Sequence, residues 1–508
     1  MALTTPGESV ATPPPPEERV ASDSIARNTF YATVNGVLSA AIAVVLTLYL
    51  IRALEPHGYG VYTLALAVGA LFALAMDLGV TSSAGRFIAE RRGDRRAIAD
   101  YIADALRLKV GIVGLASIVL FAGAGLIADL YGKPSLTWPL RGVALALAGG
   151  AVMQLFNGVF VAQARLGASL VISVTQSSAF LVAAVGLVSA GTGATGAAFA
   201  RAIGYGAAVV VGAVLIARLF GGRALAIGSS RGRMHEIVRY AGVLAVVEGA
   251  YLFFDQLDAL LIGAFKSAAA VGLFQAAFGL TVFLHYPAGI VATSVAPRTA
   301  SHREHGSDTR AFMITARFLI VGYAALLAPL IVWAGPIVDL LLGSSYAQSE
   351  SVLRAFAPYV FLGGVGAFLS ASSNYLGQAR KRLPVALVAV AINLVFDVIF
   401  IPRIGIVAGA IGTGLALAVY VPVHLWICAK ALNVPLRPVG IALGRSLVAA
   451  AAMAGVLLLA GTSDLSVADW VLGAIGAVSA YLAVLFLLRE LTMSEARQAR
   501  TWLKTRFG

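Results

Sequence analysis

Three carboxylates, Glu248, Asp255 and Asp258, stand in one apolar run, and their spacing puts all three on one face of a helix. An ionisable side chain at membrane depth costs about 2.5 to 3.5 kcal/mol even on insertion scales, so each needs a reason to be there. One reading is a cavity-facing acidic stripe that exchanges protons or holds sugar hydroxyls. The other is a structural pairing with Arg201 or with polar groups of the next helix. Arg201 is the one basic residue well inside an apolar run. Its planar fork matches a diphosphate, and it could equally neutralise one of the acids at 248–258. His285 titrates in the right range for a proton relay, or is an ordinary hydrogen-bonded interior histidine. Asn393 and Asp397, at i and i+4, could line the carboxy-terminal half together with His424. Asn35, Gln154, Asn157, Gln176, Gln275 and Asn374 add hydrogen-bonding groups within other apolar runs, as a path for a sugar requires.

A second group sits at helix ends. Arg27 enters the first apolar run, Asp77 and Arg86 leave the second, and Arg298 ends a later one. These positions suit gates or inter-helix locks; the plainer reading is capped, snorkelling helix ends.

The elements that must carry these residues follow from composition. Of 508 residues, 59% are hydrophobic and 12% charged, and the mean hydropathy is +0.89. Soluble domains carry ~25% charged residues, so the chain is an all-α integral membrane protein. A helix of about 20 apolar residues crosses the hydrocarbon core, and about fourteen such runs follow one another from residue 30 to residue 488. The single Cys, Cys428, excludes an intrachain disulfide or a cysteine metal cluster, and no metal site is expected. There is no Gly-rich phosphate loop ending in Lys-Ser/Thr, so no ATPase is expected, and no cofactor.

The net charge of +13 would suggest nucleic acid in a soluble protein. Here it reflects topology. With a cytoplasmic amino terminus, only Arg52, Lys133, Arg141, Lys266, Arg354 and Arg403 fall on the far face, and nearly all the rest of the 37 Lys and Arg lie inside. That asymmetry needs an even number of spans, with both termini cytoplasmic, and no nucleic-acid partner.

Gly60-Val61-Tyr62 returns as Gly272-Leu273-Phe274, and Thr81-Ser82-x-Ala84-x-Arg86 as Thr293-Ser294-x-Ala296-x-Arg298, at one constant offset. The chain therefore reads as a duplication of six spans, with the copies in the same orientation about a pseudo-twofold along the membrane normal. The expected layout is a disordered leader (1–26), an amino-terminal lobe (27–220), an inter-lobe loop (221–238), a carboxy-terminal lobe (239–430), two additional spans (431–490) and a basic tail (491–508). The two lobes already make a pseudo-dimer, so a monomer is expected.

Arg27-Asn28-Thr29, Arg52-Ala53-Leu54-x-x-x-Gly58-Tyr59-Gly60-Val61-Tyr62, Asp77-Leu78-Gly79, Arg86-Phe87-Ile88 and Asp255-x-x-Asp258-x-x-x-Ile262-Gly263 resemble the pattern of Wzx-type polysaccharide flippases. These belong to the multidrug/oligosaccharidyl-lipid/polysaccharide exporter superfamily. The resemblance covers residues 27 to 310 and implies a MATE-like, V-shaped pair of lobes in the plasma membrane of a bacterium or archaeon. It implies a lipid-linked oligosaccharide, carried on a polyprenyl diphosphate, as substrate. Membrane lipids and other polysaccharide-assembly proteins would be the partners, and coupling to H+ or Na+ stays open. A multidrug/cation antiporter of the same superfamily is the alternative, although the first span lacks the carboxylate that some extruders keep there. A membrane-embedded polysaccharide polymerase or glycosyltransferase is disfavoured, because the outer loops are short and carry no acidic cluster. A deep cavity above ~1,000 Å³ would fit the large sugar head, and a narrow acidic pocket at Glu248 and Asp255 would fit the antiporter.

Overall fold

The computed structural model describes residues 16–77, 80–91, 94–226, 254–300 and 308–492. Most of the expected inter-lobe loop and basic tail, the first part of the leader, and Glu248 lie outside the described residues. The backbone is helical, with no strand among the described residues, as a bilayer demands when every N–H and C=O must be satisfied within its own segment.

One group of helices comprises α1 (Pro16–Asp77), α2 (Val80–Glu90), α3 (Arg95–Leu130), α4 (Thr137–Ala162), α5 (Leu166–Leu187) and α6 (Gly193–Phe220), which pack chiefly on one another. A second comprises α7 (254–265), α8 (Ala268–Ala300), α9 (Thr309–Val332), α10 (Ala334–Leu341), α11 (Ser349–Ala355), α12 (Ala357–Tyr375), α13 (Ala379–Ile404) and α14 (Val407–Leu432). We call these the N-lobe and the C-lobe. The helices α15 (Arg437–Ala460) and α16 (Val467–Leu487) follow.

Among the described residues, ten helical segments are long and apolar enough to cross a membrane, or up to eleven with the bent pair α11–α12 taken as one span. Two of them far exceed the ~20 residues of a single crossing: Phe30–Ala73 has 44 residues and Leu166–Phe220 has 55. Each is interrupted. In α1, Glu55 leaves the helical region at φ 54° and ψ 172°, directly before Pro56. A residue preceding proline is driven out of the α region, while proline's fixed φ suits the first turn of a new arm. Between α5 and α6 a π turn carries Gly191 at φ 83°, followed by Gly193 at φ 56°, values that glycine adopts at no steric cost. Both interruptions stand where the sequence predicts turns. The expected fourteen crossings also draw on residues 239–253, outside the described set.

Three segments depart from the sequence reading. Residues 86–109, read as a basic loop, are mostly helical among the described residues. In α2 the residues Val80, Ala84 and Ile88 are buried at helical spacing while Arg86 and Glu90 face outward. Asp94 then caps α3, its side chain accepting from the N–H groups of Arg96 and Ala97 at 3.0 Å. An apolar-run search misses such an amphipathic segment because half of its face is polar. Residues 334–350, read as an outer loop, contain α10. Finally, α1 is helical from Pro16, inside the expected leader.

The additional pair α15–α16 docks on α9. Trp333 and Trp470 meet edge to face at 4.7 Å, Trp333 Nε1–H donates to the Gly461 carbonyl at 3.0 Å, and Tyr481 donates to the Val321 carbonyl at 2.6 Å. At the other end Glu490, 3% exposed, accepts from Arg317 Nε at 2.7 Å and from Arg445 Nη1 at 3.1 Å. Glu490→Ala removes this carboxylate from both arginines. It should destabilise the detergent-solubilised protein by on the order of 2 kcal/mol, between exposed and fully buried pairs. Thermal unfolding measures this, and an unchanged midpoint would mean that the clasp contributes nothing.

The two lobes meet along α1 and α8. At the end of the bundle that carries the Glu55 break, hereafter the distal end, the repeated glycines face each other. A Cβ on Gly60 would overlap the carbonyl oxygen of Ala268 and lie 2.7 Å from the nitrogen of Gly272. A Cβ on Gly272 would overlap the carbonyl oxygen of Pro56 and lie 2.9 Å from the nitrogen of Gly60. The sequence offset that relates Gly60 to Gly272 also relates Pro56 to Ala268. The contact is thus reciprocal, as a pseudo-twofold passing between the two glycines requires.

Candidate functional site

In the N-lobe, α6 presents Arg201 and, one turn later, Tyr205 on the same face. Arg201 Nη1 donates to the Tyr62 hydroxyl of α1, and Nη2 to the Tyr205 hydroxyl, both at 3.4 Å. Its guanidinium carbon lies 5.7 Å from the ring centres of Phe180 and Tyr205. Close packing of α6 on α5 builds this cage: a Cβ on Gly204 would come within 2.7 Å of Phe180 Cβ. Long hydroxyl bonds and ring faces hold the guanidinium in place but carry no formal charge. Among the described residues no carboxylate pairs with Arg201. Its interior charge is therefore balanced neither by Asp255 nor by Asp258, which belong to the other lobe.

The C-lobe gathers acids. Asp258, on α7, is buried; its Oδ1 accepts from Asn393 Nδ2 at 3.1 Å and its Oδ2 from Thr413 Oγ1 at 2.7 Å. The same Asn393 amide donates to Asp397 Oδ2 at 3.3 Å. The Asn393–Asp397 spacing of one helical turn aims both into this cluster. Two oxygens in it, Asn393 Oδ1 and Asp397 Oδ1, are buried without a hydrogen-bond partner. All the polar groups are oxygens or amides, the donor set of a hard monovalent or divalent cation rather than of zinc. Two adjacent buried carboxyl groups with no basic partner among the described residues need a proton or a cation between them. Gly412 permits the approach of α14: a Cβ there would stand 2.5 Å from Asp397 Oδ1 and 3.0 Å from Asn393 Nδ2. Gly412→Ala would push a methyl into the cluster, and were the cluster to hold a cation it should abolish that binding while the lobe still folds. Radiolabelled sodium binding to purified protein reads this out, and retained affinity would exclude the cluster.

Asp255, three residues before Asp258, has a different environment. It lines a cavity of about 490 Å³ between α7, α8, α12, α13 and α14, together with His285, Tyr359, Arg382 and Tyr420. The expected single acidic face is thus divided, with Asp258 in a sealed cluster and Asp255 open to a cavity. On α13 the cavity reaches Val390, one turn before Asn393. Its volume is that of a small-molecule pocket, and Arg201 is not part of its lining. His285 Nε2 lies 3.1 Å from the Val360 carbonyl, and its ring meets Tyr359 edge-on at 5.0 Å.

The remaining candidates are dispersed. Asn35 accepts from Ser39 at 3.3 Å and Asn157 from Ser169 at 3.0 Å, both within the N-lobe, and Gln275 is half-buried on α8. Arg27, inside the long α1, and Arg298, in the last turn of α8, are exposed. Arg86 makes an exposed ion pair with Glu90 at 2.9 Å. Asp77 closes α1, and its side chain lies outside the described residues. The sequence reading missed Thr413, an uncharged residue with no signal of its own. It also missed Arg382, which it took as a topology residue; this arginine hydrogen-bonds Asn374 and Ser370 and reaches His424 Nε2 at 3.4 Å.

A family model described as polysaccharide biosynthesis protein matches residues 25–302, more than half of the chain. The chain belongs to the polysaccharide biosynthesis protein family. One relative is the probable low-salt glycan biosynthesis flippase Agl15 of Haloferax volcanii, 24% identical over 224 residues, which are 43% of this chain and 47% of that protein. The match therefore spans about half of that relative's length. Among solved structures, the lipid II flippase MurJ in an inward closed conformation aligns with a TM-score of 0.72 at 13% identity, covering 89% of this chain and 98% of that one. An inward-facing multidrug resistance MATE transporter aligns at 0.65 and 17% identity, covering 80% and 98%. The fold of this family member is that of the MurJ and MATE transporters, and it is a multi-pass membrane protein.

Proposed function

We propose that this protein moves a polyprenyl-diphosphate-linked oligosaccharide from the cytoplasmic to the outer leaflet by alternating access of its two lobes, in cell-surface polysaccharide biosynthesis. The observation that carries this reading is Arg201. A positive charge held by tyrosines inside the N-lobe repels an organic cation and suits a diphosphate, whose oxygens can replace the weak hydroxyl partners. The family match and the flippase named among its relatives agree with it. The distal end faces outward in this reading, both termini are cytoplasmic, the membrane is the plasma membrane, and no covalent chemistry is performed on the sugar.

The Asp258–Asn393–Asp397–Thr413 cluster supplies the coupling site, for sodium or a proton. The cavity at Asp255 then serves as its access route from the opposite end. The carboxylate of Asp255 in that small cavity is the observation that favours a second reading, cation antiport. Ligand preference separates the two. Thermal stabilisation of purified protein by a polyprenyl diphosphate, and none by lipophilic organic cations, is the expected result; the reverse preference overturns the flippase reading in favour of the antiporter.

A further inference from the structure

We propose that the Gly60–Gly272 contact is the distal gate of the transport cycle, a backbone-to-backbone seal on the pseudo-twofold axis that contains no side chain of its own. The proposal assigns the moving contact within the alternating access proposed above and rests on that reading. At this contact the first turn of the second arm of α1 meets the first turn of α8, so near that a methyl on either glycine overlaps a carbonyl oxygen across the interface. Helix backbones in this relation attract through packing and Cα–H···O contacts, which are weak singly.

Three side chains fasten the same end, and each uses a neutral backbone acceptor. Arg52 of α1 donates to the carbonyls of Leu341 and Leu340 at 3.1 and 2.7 Å, the C-terminal turn of α10, where the helix dipole favours a cation. Lys133 of the N-lobe donates to the Gly263 carbonyl at the end of α7 at 2.6 Å, again a helix C-terminus. Tyr346 of the C-lobe donates to the Ile51 carbonyl at 2.8 Å. Both cations therefore come from the N-lobe and cap C-lobe helices. No carboxylate joins the lobes in these three contacts, so opening separates neutral acceptors from cations that water can rehydrate, rather than parting an ion pair. The closure is tight yet releasable, as a gate that opens in each cycle must be.

The test uses full-length protein in lipid nanodiscs with Cys428→Ser, spin-labelled at Asp129→Cys in the N-lobe and Ser345→Cys in the C-lobe, both exposed at the distal end. Pulsed electron resonance then reads their separation. Gly60→Ala and Gly272→Ala should each move the main population to longer distance, because the added methyl cannot be accommodated with the lobes closed. Gly289→Ala, where a Cβ meets nothing within 4 Å, should leave the distribution unchanged. Should the glycine variants fail to fold, Arg52→Ala with Lys133→Ala provides the second test and should shift the population in the same direction without added bulk. Unchanged distributions in folded Gly60→Ala and Gly272→Ala, or in the cap variant where those do not fold, overturn the gate. Distance shifts with no transport of a lipid-linked sugar would uphold the gate and count against the flippase reading alone.

Discussion

Arg201→Ala is expected to abolish appearance of the polysaccharide at the cell surface while the protein remains folded and membrane-inserted. The guanidinium contacts Tyr62, Tyr205 and Phe180, none of which depends on it for charge compensation, so its loss removes a costly interior charge rather than a partner. Stability should stay level or rise, since carrying that charge in the lobe costs about 2.5 to 3.5 kcal/mol. Function should respond oppositely. A hydrogen bond to a charged group contributes ~1.5–3 kcal/mol, so losing one diphosphate contact lowers affinity about ten- to a hundredfold. Lysine keeps the charge but not the fork, and Arg201→Lys should fall between. Surface glycan quantified beside protein abundance checks both arms; wild-type export from Arg201→Ala would remove Arg201 from the transport path.

Asp258→Ala is expected to be the most damaging change in the C-lobe. It strips the acceptor from Thr413 Oγ1 and one of the two acceptors from Asn393 Nδ2, and a buried donor left unpaired costs about 1–3 kcal/mol. Asp258→Asn preserves volume and removes the charge, which separates packing from ion binding. The alanine variant should lower the thermal midpoint and lose sodium binding, whereas the asparagine variant should keep most of the midpoint and still lose sodium binding. Asp397→Asn should behave like Asp258→Asn, because Asp397 Oδ1 is one of the two unsatisfied oxygens. Sodium affinity unchanged in both asparagine variants would exclude the cluster as the coupling site.

The span pattern and the duplication are legible because both are local. A crossing is a continuous apolar run, and Gly60 and Gly272 declare themselves by a repeated turn at one offset. That the two glycines touch is not legible, since it depends on how the copies pack. The cluster shows the same division. Asn393 and Asp397 are visible as a helical pair, and Asp258 as an acid in a span, but the hydrogen bond from Asn393 to Asp258 joins residues 135 positions apart. Thr413 carries no charge and gave no reason to be chosen. Nor could spacing tell Asp255 from Asp258: both are acids on one helix, and only the approach of α13 and α14 seals one while leaving the other open to the cavity. Arg382 misled for the opposite reason, because a basic residue near a helix end satisfies the topology rule whether or not it also turns inward. The helix α2 escaped because burial on one side and the charges of Arg86 and Glu90 on the other cancel in any averaged hydropathy.

The central claim is tested most directly by reconstituting the purified protein in liposomes with a fluorescent polyprenyl-diphosphate oligosaccharide in one leaflet and following its appearance in the other under an imposed sodium or proton gradient. The account predicts movement that requires Arg201 and is accelerated by one of the two gradients in a manner that Asp258→Asn abolishes. Movement of a lipophilic organic cation instead, with the lipid-linked sugar remaining in its original leaflet, would contradict it.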